Sequence, residues 1–163
     1  MENNKETATR KQARQLKVER DLAFGNAHVY GWDDAVQILK VLKDRAWTNG
    51  SFTREFERQF ADYIGVKYAL ACHSGGAALY IASMIAGIGL GDEVLVPSID
   101  FPAASHIAIL MGAKVRFLEV NSDDLNVDPS RIAEKISRKT RAIYPVHLYG
   151  RPADMDPIME LSE

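Results

Sequence analysis

Two kinds of hydrophobic pattern divide the chain, and the change between them falls near Gly65. Before this glycine, apolar residues such as Leu39 and Leu42 recur at helical spacing and predict a first helix. Phe56 and Phe60 belong to a second helical pattern, and their rings are expected to lie in the core. Gly65 follows this pattern and is expected to end the helix in a left-handed conformation.

After Gly65, short apolar runs alternate with helical segments. The runs predict strands at residues 68–72, 93–96, 115–120 and 141–146. The segments between and after them predict helices at residues 76–88, 102–111, 128–136 and 154–161, the third opened by Asp128 as cap and the fourth by Asp154. Such an alternation is typical of an α/β protein with a mostly parallel sheet and helices on both faces.

The first 20 residues differ from the rest because they are rich in charge and carry few large apolar side chains. Such a segment buries too little surface to offset its ordering entropy, so we expect a flexible arm. The predicted organisation is therefore an arm at residues 1–20, N-terminal helices at residues 21–65, and an α/β segment at residues 66–163.

Composition excludes several classes of function. The 163 residues carry a formal net charge of −2, which gives no positive field for binding nucleic acid or an anionic membrane surface. No apolar stretch approaches the roughly 20 residues that a membrane helix needs, and the charged N-terminus does not resemble a signal peptide, so a cytoplasmic protein is predicted. One cysteine and four scattered histidines argue against a disulfide and against a structural metal site.

Candidate chemistry lies just after the predicted strands, where ligands collect in open α/β sheets. The first such loop contains Gly75 and Gly76 and runs directly into a helix. Small residues allow close approach of a ligand, and free N–H groups at a helix start favour a phosphate. A plain tight turn explains the same residues equally well, and the pattern is neither a dinucleotide fingerprint nor a P-loop.

Two further loops carry an aromatic ring and an imidazole. Phe101 follows the second predicted strand and could stack on a flat ligand or close the core. His147 follows the fourth and could act as an acid or base or be purely structural. Nucleophilic catalysis finds little support, because Ser74 lacks a nucleophile elbow and Cys72 is predicted inside an apolar strand.

Taken together, these loops resemble the DegT/DnrJ/StrS-type nucleotide-sugar aminotransferases, which are fold-type I pyridoxal-phosphate enzymes. The resemblance runs in order from about residue 46 to the last residue. Each matching stretch is weak alone, but their collinear order is specific. The stretches are WTNG (47–50), FE (56–57) to YIGV (63–66), SGGAAL (74–79), GLGDEV (89–94), PSIDF (97–101), NVDP (126–129), and PVHLYG with PADMD (145–156).

The resemblance implies roles for the loops. Gly75, Gly76 and Ala77 would direct backbone N–H groups at the cofactor phosphate, and Phe101 would stack on the pyridine ring. The chain departs from the family at Gly76 and at Asp100, where the family usually has threonine. A carboxylate beside a phosphate is repelled unless it is paired, so Asp100 would instead serve a substrate amine or hydroxyl.

The resemblance also implies a reaction. Pyridoxal 5'-phosphate would accept an amino group from a donor such as glutamate, and its pyridoxamine form would aminate a nucleotide-linked keto-sugar in a homodimer. The family's Schiff-base lysine and pyridine-nitrogen aspartate lie beyond the helix that begins near Asp154. The chain is thus expected to hold the first part of a type I large domain, and to be inactive alone, with no catalytic residue of its own.

Two other functions stay open. Within the family, a pyridoxamine-phosphate-dependent sugar dehydrase has a histidine in place of the lysine. The sequence Phe101-Pro102 followed by small residues slightly favours this dehydrase. From another class, the chain could be a non-catalytic truncated or dimerising protein. A nicotinamide-binding domain is disfavoured because the glycine fingerprint is absent.

Overall fold

The computed structural model of the protein describes residues 30–45 and 48–162. Its contacts divide the chain into two units, residues 1–69 and residues 70–163. The predicted arm at residues 1–20 and Trp47, part of one matching stretch, lie outside the described residues.

The first unit contains the two predicted helices. Helix α1 spans Trp32–Asp44 and helix α2 spans Ser51–Ile64. Gly65 has a φ of 80°, and its N–H donates to the Ala61 carbonyl at 2.9 Å. This glycine therefore ends α2 in the left-handed conformation that the sequence predicts.

The apolar side chains of these two helices are exposed, so the prediction that they form core is wrong for the described structure. Ala61 is the one buried residue of α1 and α2. The rings of Phe56 and Phe60 pack against each other with centroids 5.8 Å apart, yet 56% and 47% of these residues stay accessible. A helical stripe becomes core only when another layer covers it, and the described residues of this unit supply no such layer.

The second unit is built on a three-stranded parallel sheet. Its strands are β1 (Glu93–Pro97), β2 (Lys114–Leu118) and β3 (Thr140–Ile143), in the order β2-β1-β3. Four of the five β1 residues are buried, as expected for a central strand covered on both faces. The predicted parallel α/β class is confirmed.

Side chains of β1 alternate between two apolar clusters. Val94 and Val96 join a cluster with residues of helix α4 (Ala103–Leu110), on the face where α4 packs against helix α3 (Gly75–Ile85). Leu95 points to the opposite face, toward a second cluster that includes Ile158 of helix α5 (Met155–Glu160). Both faces of the sheet are thus covered.

The strand predicted at residues 68–72 is absent from the described structure, in which this segment forms neither a helix nor a strand. Tyr68 and Leu70 are exposed by 77% and 70%. An apolar run becomes a strand only when it pairs with a sheet edge, and it does not pair with β1, β2 or β3. Cys72 therefore does not lie inside a strand; it is half-buried, with its Sγ 3.9 Å from the Leu70 carbonyl.

Other elements differ in extent or type. The helix predicted at residues 128–136 is two short 3₁₀ turns, Pro129–Arg131 and Ala133–Lys135, although Asp128 does cap the first by accepting from the Ser130 N–H at 3.0 Å. The strand predicted at 115–120 ends at Leu118. Within the described ranges, no helix is long and apolar enough to cross a membrane, and no cluster of potential metal ligands occurs.

Candidate functional site

An open cleft lies at the carboxyl edge of the sheet. Because β1 and β3 are parallel, the loops that follow them meet at this edge, beside the start of α3. The cleft has a volume of about 580 Å³. Its lining comprises Gly75, Gly76, Leu79, Asp100, Phe101, Ala103, Ala104, Tyr144, Pro145, Val146 and His147. The structure therefore brings together five of the residues singled out in the sequence.

The start of α3 presents two free donors to the cleft. Ser74 is the N-cap, and its Oγ accepts from the Ala77 N–H at 3.1 Å. Of the three predicted phosphate contacts, Ala77 is therefore the one whose N–H is already engaged. Ala77 also does not line the cleft. Within the described residues, the N–H groups of Gly75 and Gly76 have no partner, and helix starts attract anions for this reason.

The space beside these glycines fits a ligand group such as a phosphate. A Cβ built on Gly75 would meet nothing within 4 Å, and one on Gly76 would meet only the Ser74 Oγ at 3.9 Å. Neither glycine has the positive φ that would require it for backbone reasons. The described chain's own packing therefore does not explain the two glycines, whereas close approach of a ligand would.

Phe101 stands at the cleft with its ring available. The residue is 76% accessible, so the interpretation that it closes the core is wrong. It is placed there by the loop between β1 and α4, in which Pro102 is the N-cap. An exposed aromatic face beside a helix start can stack on a planar ligand whose anionic group is held by that helix.

Asp100 is held against the residue that carries this ring. Its Oδ1 accepts from the Phe101 N–H at 2.6 Å, and its second oxygen makes no hydrogen bond within the described chain. Partial burial raises the pKa of Asp100, while the backbone hydrogen bond acts in the opposite direction and is the smaller effect. The cleft thus contains a partly buried carboxyl group with one oxygen available to a ligand.

His147 has one ring nitrogen fixed by the fold. Its Nδ1 accepts from the Ala153 N–H at 3.0 Å and therefore carries no proton in this arrangement. The remaining nitrogen, Nε2, is then the proton-bearing donor. His147 also lines the cleft, so this N–H is a candidate hydrogen-bond donor to a bound molecule.

Two supporting groups were not found from the sequence. The Tyr144 hydroxyl lies 2.6 Å from Ser83 Oγ, which is 1% accessible and also bonds the Leu79 carbonyl at 2.6 Å. This contact joins the end of β3 to the interior of α3. A tyrosine directly after a strand was the available signal, because a buried phenol usually finds a partner.

Asn126 is the second such group, and it fixes the loop that carries His147. The residue is 2% accessible, and its Oδ1 accepts from the Leu148 N–H at 3.0 Å. Its Nδ2 donates to the carbonyls of Arg151 at 3.1 Å and Pro152 at 3.2 Å. A buried asparagine between two chain segments is satisfied only by such contacts, which the sequence does not reveal.

Comparison with known proteins places this cleft in context. The family model described as the DegT/DnrJ/EryC1/StrS aminotransferase family matches residues 31–163. GDP-perosamine synthase of Caulobacter vibrioides is 43% identical over 121 residues, covering 73% of this chain and 33% of that protein. UDP-2-acetamido-2-deoxy-3-oxo-D-glucuronate aminotransferase of Pseudomonas aeruginosa is 37% identical, covering 74% and 34%.

The similarity extends to the fold of a solved structure. NtdA from Bacillus subtilis with bound cofactor PMP is 31% identical with a TM-score of 0.76, and the match covers 81% of this chain and 31% of that one. PMP, pyridoxamine 5'-phosphate, is the amine form of pyridoxal 5'-phosphate. The chain spans about one third of the length of the curated relatives that it matches.

Proposed function

Since the chain belongs to the DegT/DnrJ/EryC1/StrS aminotransferase family, we propose that it forms the phosphate- and ring-binding part of a pyridoxal-phosphate-dependent sugar aminotransferase. The amino acceptor would be a nucleotide-linked keto-sugar, and the donor an amino acid such as glutamate. The observation that carries this proposal is the cleft in which the free N–H groups of Gly75 and Gly76 stand beside the exposed ring of Phe101.

The proposed contacts follow from the chemistry of the lining. The N–H groups of Gly75 and Gly76 would bind the cofactor phosphate, and the α3 dipole would favour its negative charge. Phe101 would stack on the pyridine ring and fix its plane. When bound, this cofactor supplies an electron sink for moving an amino group between carbon skeletons. The Nε2–H of His147 would donate to a bound oxygen or nitrogen.

The covalent part of such a reaction needs a lysine amine, which the described cleft does not contain. Within residues 30–45 and 48–162, no lysine lines the cleft, and Asp100 is its one carboxylate. We therefore expect the 163-residue chain to show no transaminase turnover. Turnover accompanied by a borohydride-reducible lysine adduct would contradict this expectation. Absence of both turnover and cofactor binding would favour the non-catalytic alternative.

Assembly and location complete the proposal. The family resemblance implies a homodimer, and the charged N-terminal sequence without a long apolar stretch supports a cytoplasmic location. The exposed apolar side chains of α1 and α2, among them Phe56 and Ile64, support association with another surface.

A binding titration tests the site itself. We propose calorimetric titration of the full chain with pyridoxine 5'-phosphate and with pyridoxine, which lacks the phosphate. Binding of the first and loss of at least tenfold in affinity with the second is the expected result, because the phosphate is the group that α3 holds.

A charge-bearing variant makes the test specific. Gly76→Asp places a carboxylate in the first turn of α3, where it suits the helix dipole but repels a phosphate. Leu90→Asp adds the same charge at a residue that is 94% accessible and outside the cleft. Gly76→Asp should abolish binding and Leu90→Asp should not. Equal binding by both variants would overturn the proposed site.

A further inference from the structure

We infer that Asp100 makes the cleft selective for the amine form of the cofactor over forms that carry a neutral group on the same carbon. The inference rests on the proposed function, since it concerns the same site. It assigns to Asp100 a role in recognising a primary ammonium group.

The position of Asp100 is the first support. Asp100 and Phe101 are adjacent in sequence, and both line the cleft. The hydrogen bond from the Phe101 N–H holds Asp100 Oδ1 at 2.6 Å, so the carboxylate is oriented by the backbone of the ring-bearing residue. A planar ligand stacked on Phe101 would therefore occupy the same cleft as the second oxygen of Asp100, which makes no hydrogen bond within the described chain.

The distribution of charge is the second support. The lining offers an anion site at Gly75 and Gly76 and an anionic side chain at Asp100, with neither lysine nor arginine among the described lining residues. A ligand with phosphate alone satisfies the first and is repelled by the second. A ligand with a phosphate at one end and an ammonium at another satisfies both, and pyridoxamine 5'-phosphate has this pair of charges.

Partial burial makes the ammonium contact favourable. Burial raises the pKa of Asp100, because the ionised carboxyl group has lost part of its hydration. An ammonium donor restores what the carboxylate has lost, through a charge-assisted hydrogen bond. A hydrogen bond to a charged group typically increases the binding affinity by about tenfold or more.

A pair of ligands tests this inference on the wild-type chain. Pyridoxamine 5'-phosphate and pyridoxine 5'-phosphate share the phosphate, the ring and the ring nitrogen, and differ only in an aminomethyl against a hydroxymethyl group. Calorimetric titration near neutral pH should give the amine form an affinity about tenfold higher. Equal affinity for the two would overturn the inference and leave the proposed function standing. Binding of neither would overturn both.

Substitutions assign the preference to the carboxylate. Asp100→Asn keeps the shape and removes the charge, and it should bring the two affinities within about twofold of each other. Asp154→Asn is the matched control, since Asp154 lies outside the cleft and its side chain makes no capping hydrogen bond to α5. If Asp100→Asn does not fold, Asp100→Thr makes the same test with a smaller polar side chain. Persistence of the full preference in a folded Asp100 variant would overturn the inference.

Discussion

Replacing Asn126 with alanine should destabilise the second unit and release the loop that follows β3. The substitution removes an acceptor of the Leu148 N–H at 3.0 Å and a donor to the carbonyls of Arg151 at 3.1 Å and Pro152 at 3.2 Å. At about 1 kcal/mol net for each hydrogen bond, the free energy of unfolding should fall by about 3 kcal/mol. Urea unfolding followed by circular dichroism measures this change.

Asn126→Asp separates hydrogen bonding from shape. The substitution keeps the volume of the side chain and the acceptor for the Leu148 N–H. However, it replaces Nδ2 with a carboxylate oxygen that faces the carbonyls of Arg151 and Pro152. The same oxygen also faces Asp124, whose Oδ2 lies 3.4 Å from Nδ2 in the wild-type chain. A buried charge facing acceptors is unfavourable, so the loss near neutral pH should be at least as large as for alanine. Acidification should restore part of the stability. If both variants unfold within about 0.5 kcal/mol of wild type, the assignment of Asn126 as a structural anchor is refuted.

Three other changes have directions fixed by the structure. Tyr144→Phe removes the hydroxyl 2.6 Å from Ser83 Oγ and should lower the free energy of unfolding by about 1 kcal/mol, measured in urea. Burial raises the pKa of Asp100 in the folded chain, so ionisation of this group lowers the free energy of unfolding as the pH rises through that pKa. Asp100→Asn should therefore melt at a higher temperature than wild type near pH 7, and the two melting temperatures should converge in acid. Hydrogen bonds from Arg58 lower the pKa of Glu55 from 4.5 to about 2. The helicity that this pair supports should therefore decrease as the pH is lowered from 4.5 to about 2, measured by circular dichroism, and Glu55→Gln should not show this decrease.

The central part of the fold was predictable because its hydrophobic pattern has one interpretation. The run around Val94 and Leu95 is fully buried on both faces, and it became β1 as expected. The run at 68–72 has the same character, but pairing depends on an available edge, which a local pattern does not contain. Asp128 was correctly identified as a cap, yet a cap fixes where a turn begins and not whether 3₁₀ or α geometry follows.

The candidate site was predictable in its residues more than in its contacts. Asp100, Phe101 and His147 lie in loops after strands, and parallel topology brings such loops to one edge, where the start of α3 places Gly75 and Gly76. Residues alone left the role of Phe101 open, because burial of an aromatic ring depends on what packs over it. Of the two groups that support these loops, Tyr144 had a signal in the sequence, whereas the partners of Asn126 depend on how distant segments pack and leave none.

The three segments of the cleft are each held by hydrogen bonds that do not involve a ligand. Ser74 Oγ caps the start of α3, Asp100 Oδ1 holds the backbone of the ring-bearing loop, and Asn126 holds the loop of His147. A site whose loops are ordered beforehand loses little conformational entropy when a ligand binds. Asp100 is partly buried and lines the same cleft as the proposed phosphate contacts at Gly75 and Gly76, which is unfavourable for its charge in the empty chain. A cationic group on the molecule that the cleft is proposed to receive would offset this cost.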